Sequence, residues 1–169
     1  MGVFTPDVNN LRELYIETLK RALNSERQIA DKGLPAMIED STSPQLAQAF
    51  RNHLAETREH VARLELILDS NSGEVDDSKC KVTAALLSSA ELAVSDAAND
   101  SIRDVILIAA GNQVEHHEIA IYGTLRTWAE ILGENEDAAI LERTLDEEEI
   151  ADALLTELSQ QINVAAPVS

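Results

Sequence analysis

Gln113-Val114-Glu115-His116-His117-Glu118-Ile119 runs polar, charged and histidine-rich through the middle of an otherwise apolar segment. That segment spans about residues 100–132 and reads as one long helix. Glu115 and Glu118 stand three residues apart, which puts them on neighbouring turns of one helix face. Charged groups at the waist of a core helix are costly unless they are paired or hold a metal. The stretch therefore asks for partners at its own level, and the other long helices supply them.

Composition frames the search. Hydrophobic residues make up 44% of the 169 and aromatics only 3%. A chain rich in Ala, Leu and Glu and poor in aromatic and β-branched residues forms an all-α bundle rather than a sheet. Its length suits a single domain, 1–169, with ample core. The net charge of −18 opposes nucleic-acid binding and docking on anionic membranes, and favours solubility and attraction of cations. Cys80 is the only cysteine, so neither an internal disulfide nor a thiolate metal cluster can form; it reads as a small core filler. No signal-peptide pattern and no membrane-length apolar run is visible, and a soluble cytoplasmic protein is expected.

After a short lead-in over residues 1–8, helices are expected at about 9–39, 43–70, 81–94, 100–132 and 136–163. The first carries Leu11, Leu14, Tyr15, Thr18, Ala22, Ile29 and Met37 on its apolar stripe, with Glu26 intruding and a bend near Gly33 and Pro35. Ser43 and Pro44 open the second as N-cap and first-turn residue. His53, Glu56 and His60 flank its apolar side, and Glu59 faces solvent. The short helix at 81–94 lies inside a long crossover to the next long helix. There the stripe is centred on Val105, Ala109, Asn112, His116, Ile119 and Gly123, with Glu115 beside it. Glu148 and Asp152 interrupt the apolar face of the last helix, while the rest of the acidic run from Asp146 to Glu149 is read as solvated.

Glu26, Glu56, Glu115 and Glu148 lie near the midpoints of the four long helices, and midpoints of similar-length helices in a bundle share one level. A two-residue error in a boundary moves a midpoint by only about 3 Å. Four carboxylates in one dry layer must be protonated, paired with cations or bound to metal. Lys and Arg are absent from these positions, whereas all four histidines, His53, His60, His116 and His117, lie in the second and third long helices. Carboxylates and imidazoles from facing helices compose a di-iron or di-manganese site. Tyr15, Tyr122 and Trp128 read as core, with Tyr122 able to reach the site as a hydrogen-bond donor.

Ser25-Glu26-Arg27-Gln28, Ala49 to Thr57, Val114 to Leu125 and Thr144 to Glu149 followed by Asp152 together resemble the YciE/YciF-type ferritin-like stress proteins. The resemblance covers nearly the whole chain. It implies a ferritin-like up-down four-helix bundle with an extra short helix, a homodimer and a part in bacterial stress responses. The Glu-x-x-His motif of ferritin and rubrerythrin is altered: Glu59 follows Glu56 at three residues and Ala151 follows Glu148, with His60 and Asp152 one residue further on. Glu115 and Glu118 resemble the Glu-x-x-Glu of rubrerythrin. On this reading Glu56 and Glu148 bridge Fe or Mn ions, Glu26 and Glu115 are terminal ligands, and His60, Glu118 and Asp152 complete the set. The centre can be dinuclear, mononuclear or vestigial, and if redox-active it handles peroxide or ferrous iron. The competing reading is a non-catalytic dimeric interaction protein whose polar layer sets helix register.

Overall fold

The computed structural model describes residues 8–168, so the expected lead-in lies, apart from Val8, outside the described residues. Helix α1 (Leu11–Gln28) passes through a π-turn (Ile29–Gly33) into α2 (Leu34–Asp40), making one bent rod of the first expected helix. Helices α3 (Pro44–Ser72), α4 (Lys81–Ser95), α5 (Asp100–Leu132) and α6 (Asn135–Ala165) follow. Each lies within two residues of its expected bounds.

Local chemistry accounts for the ends. Asn10, Ser43 and Asn99 cap α1, α3 and α5, their side-chain oxygens accepting from the N–H of Glu13, Leu46 and Ile102. Gly73 and Gly133 close α3 and α5 at φ 68° and 80°, the left-handed conformation that a Cβ would strain. The π-turn answers Pro35, which has no N–H and whose ring crowds the carbonyl four residues back. The helix widens there, and the N–H of Leu34 reaches the carbonyl of Ile29.

Two apolar cores fix the directions of the long helices. One gathers Tyr15, Leu19 and Leu23 with Leu64, Leu68, Tyr122, Leu125, Leu141 and Leu145. The other gathers Ile29, Leu34 and Met37 with Leu46, Phe50, Leu107, Val114 and Leu155. Low numbers in α1 and α6 share an end with high numbers in α3 and α5. The bundle therefore runs up, down, down, up. The two parallel helices, α3 and α5, require the long crossover between them. That crossover climbs α1, where Ser78 N–H bonds the Lys20 carbonyl and Cys80 N–H bonds Asn24 Oδ1. Leu86, Leu87, Ala90 and Val94 of α4 then lie against the second core. Among the described residues no helix is long and apolar enough to cross a membrane.

The phase expected for α5 needs correction. Its buried residues include Asp104, Leu107, Gly111, Val114, Glu115, Glu118, Tyr122, Leu125 and Ala129, while His116 is exposed. Because α4 covers part of a further side of α5, most of the helix is at least half-buried and the stripe has no sharp edge in the sequence. Near the start of α5, buried Asp104 accepts from Thr42 N–H, Thr42 Oγ1 and Ser43 N–H at 2.8, 2.6 and 2.9 Å, tying the α2–α3 turn to the bundle. Asp104→Ala leaves those donors without their partner. It should cost about 3 kcal/mol in urea unfolding.

Candidate metal centre

Between the two apolar cores lies a polar layer. Glu26 of α1, His53 and His60 of α3, Glu115 and Glu118 of α5 and Glu148 of α6 are all buried in it. His60 Nδ1 stands 3.0 Å from Glu148 Oε1 and 3.4 Å from Glu26 Oε1. His53 Nε2 stands 3.3 Å from Glu115 Oε2 and 3.5 Å from Glu148 Oε2. Potential ligand atoms thus fall into two close sets, His53–Glu115–Glu118–Glu148 and Glu26–His60–Glu148, sharing Glu148. Its two oxygens face different imidazoles.

Each imidazole turns its other nitrogen outward to a carboxylate. His53 Nδ1 lies 3.4 Å from Glu56 Oε2, and His60 Nε2 lies 3.0 Å from Glu147 Oε2. Glu147 is itself held by Arg63, 2.5 Å away, and by Arg143 at 3.1 Å. An N–H directed outward leaves the inner nitrogen with its lone pair facing the layer, the usual arrangement of a metal-binding histidine. Tyr122 donates its hydroxyl to Glu26 Oε1.

Of the expected residues, the structure brings Glu26, His60, Glu115, Glu118 and Glu148 together and leaves two aside. The Glu56 side chain is 49% exposed, at the rim beyond His53. On α3 the inward positions run His53, Thr57, His60, so Glu56 falls one residue off the face. Asp152 accepts from Asn112 Nδ2 at 2.6 Å and lies 3.1 Å from exposed His116, because Ala151 and Leu155 take the inward positions of α6. Apolar spacing puts His53 only on a flank and gives Glu147 to solvent. His117 belongs elsewhere, 3.6 Å from the sulfur of Cys80.

Residues 10–166 match the DUF892 family, described as a domain of unknown function. The chain belongs to the DUF892 family. It is 33% identical over 154 residues to protein YciF of Escherichia coli, spanning 90% of this chain and 92% of that one. The crystal structure of YciF, titled as that of a stress protein, superposes with a TM-score of 0.89 at 32% identity, covering 94% of this chain and all of the other. YcfI from Rhodopseudomonas palustris superposes at 0.87 with 32% identity, covering 90% and 97%. The bundle is ferritin-like, as its up-down-down-up course requires.

In this DUF892 chain the layer's protons are far from their ordinary places. Burial opposes charge on His60, but hydrogen bonds to Glu148 and Glu26 win and raise its pKa to about 10. Burial likewise opposes charge on His53, and Glu115, Glu56 and Glu148 outweigh it, leaving the pKa well above normal. Burial lifts Glu148 to about 8 despite the His60 contact, with Glu26 adding to the rise. Glu118 is raised well above the carboxylate range by burial and then by Glu26, Glu148 and Glu115. Glu147 goes the other way: Arg63 and His60 overcome its partial burial and bring it to about 2. Without a cation, the layer limits its negative charge by holding protons on His53, His60, Glu118 and Glu148.

Proposed function

We propose that the layer is a dinuclear carboxylate–histidine centre for iron or manganese, serving a stress response of the kind suggested by the description of YciF. One observation carries the reading. Buried polar atoms converge there from all four long helices, facing one another at 3.0–3.5 Å without well-aligned hydrogen bonds: Glu26 Oε2, His53 Nε2, His60 Nδ1, Glu115 Oε2, Glu118 Oε2 and both oxygens of Glu148. Buried polar groups are normally satisfied, and such a concentration calls for a missing cationic partner. Oxygen ligands with two imidazoles suit Fe and Mn better than soft metals.

Glu26 and His60 would hold one ion, His53, Glu115 and Glu118 the other, with Glu148 common to both. A bound Fe or Mn pair supplies redox chemistry toward peroxide or ferrous iron as substrate. The chain's own part is to position and insulate. Glu147, clamped by Arg63, keeps a proton on His60 Nε2 so that Nδ1 presents its lone pair. Tyr122 steadies Glu26, and the flanking apolar cores keep bulk water out. The homodimer implied by the resemblance belongs to this reading, and solution mass tests it.

Metal analysis should be made on protein purified without a metal-affinity step and then exposed anaerobically to Fe(II) or Mn(II). One to two ions per chain are expected. Binding at a hundredfold over the dissociation constant stabilises the fold by about 2.7 kcal/mol. Chelator should therefore lower Tm by roughly 5–10 °C in a domain this size. A chain that stays empty, with Tm indifferent to chelator, would instead leave the polar layer as a device for helix register.

A further inference from the structure

The layer is closed on most sides. Glu26, His60 and Glu148 are 0% exposed, and apolar cores seal both ends. Beyond His60, the Glu147 carboxylate is neutralised by Arg63 and Arg143. The side beyond His53 differs. A cavity of about 110 Å³ opens there among α3, α5 and α6, with His53, Glu56 and Glu115 as its polar lining and apolar residues, among them Phe50, Ala151 and Leu154, as the rest. Glu56 and Leu154 are exposed at its mouth. Glu115 and His53 are buried, each with an atom at the inner end that lacks a well-aligned hydrogen bond. Among the described residues no Lys or Arg pairs with Glu56; its one ionic partner is His53, and its half-exposed carboxylate keeps oxygen lone pairs free for a cation.

We propose that this cavity is the port through which divalent cations reach the layer, Glu56 catching the ion at the mouth and Glu115 receiving it within. The inference rests on the metal-centre reading above. The polar wall is a ladder: Glu56 Oε2 is 3.4 Å from His53 Nδ1, and His53 Nε2 is 3.3 Å from Glu115 Oε2. A cavity of about 110 Å³ has room for several waters, so an ion can enter hydrated and lose waters where it meets carboxylate oxygens. Carboxylate oxygens at both ends replace what is lost, and the apolar wall keeps the passage narrow.

The test is the rate of Mn(II) uptake by metal-free protein under anaerobic conditions, followed by chelator quench and metal analysis, beside the final occupancy. Glu56→Gln keeps an acceptor for His53 and removes the charge at the mouth. Uptake should slow about tenfold and depend less on salt, and at saturating Mn(II) the variant should approach the occupancy of the wild-type chain, with any loss of affinity read separately from the release rate. Ala151→Leu, which fills the passage, should slow uptake too, while Glu59→Gln on the exposed face of α3 should load at the wild-type rate. Glu56→Gln and Ala151→Leu both loading at the wild-type rate would overturn the port and leave the metal centre standing. If Ala151→Leu also lowers final occupancy, the site itself is disturbed and Glu56→Gln alone decides. A wild-type chain that takes up no Mn(II) sinks the centre, and the port with it.

Discussion

Glu148→Gln is expected to strip both ions from the centre, whereas Glu26→Gln and Glu115→Gln should each strip one. Glu148 belongs to both ligand sets, Glu26 only to the set with His60, and Glu115 only to the set with His53. Glutamine keeps the volume of the side chain but offers one neutral oxygen where the carboxylate turns one toward each imidazole, at 3.0 and 3.5 Å. The loss in affinity should exceed the ~10–100-fold typical of removing a residue that only orients a ligand. The fold should survive. Glutamine takes the place of a carboxyl that the metal-free layer already holds protonated, so the metal-free Tm of Glu148→Gln should stay level while its dependence on added metal disappears. Metal content and Tm with and without chelator, measured on the three variants, check the pattern. Equal losses in all three would mean that Glu148 is not shared.

Raising the pH should destabilise the metal-free protein and strengthen its hold on metal. Glu148 moves from 4.5 unfolded to about 8 folded, and His60 from 6.5 to about 10. In both cases the folded chain holds its proton more tightly. Stability is thus fully present below the unfolded pKa and falls as pH rises toward the folded one. Each group contributes a slope of about 1.4 kcal/mol per pH unit within its window, and the two windows overlap between 6.5 and 8. From pH 6 to pH 9 metal-free Tm should drop by about 5 °C or more. Metal reverses the trend, because ligation requires His53 Nε2, His60 Nδ1 and the carboxylates to release their protons. Adding Mn(II) to weakly buffered protein at neutral pH should acidify the solution. A metal-free Tm that rises across this range would refute the proton-held layer.

Much of this protein could be read along the chain, because helix ends and a level in a bundle are local properties. Ser43-Pro44, Asn99 and Gly133 mark their boundaries through their own capping chemistry. Helix midpoints put Glu26, Glu56, Glu115 and Glu148 at one height because each residue adds the same rise to any helix, and all but Glu56 turn into the layer. The spacing of Glu118 from Glu115 added the second carboxylate of α5.

Rotation was harder. On α3, one residue separates Glu56 at the rim from Thr57 in the core, a turn of about 100° that apolar spacing does not resolve where Leu54 and Val61 are only half-buried. His53 entered the layer for that reason, and Glu56 became its outer partner. On α5 the near-complete cover hid the phase, so His116 looked central and proved exposed. Asp152 lost its place to Ala151, and Glu147, in an acidic run, gained a role from Arg63 and His60, residues 84 and 87 positions away. The sequence by itself determined that four long helices would bring acids and histidines to one waist. Which atoms meet there, and that Glu148 stands between two imidazoles, was decided only by how the helices rotate against one another. That rotation is chosen by the packing of two apolar cores far apart in sequence.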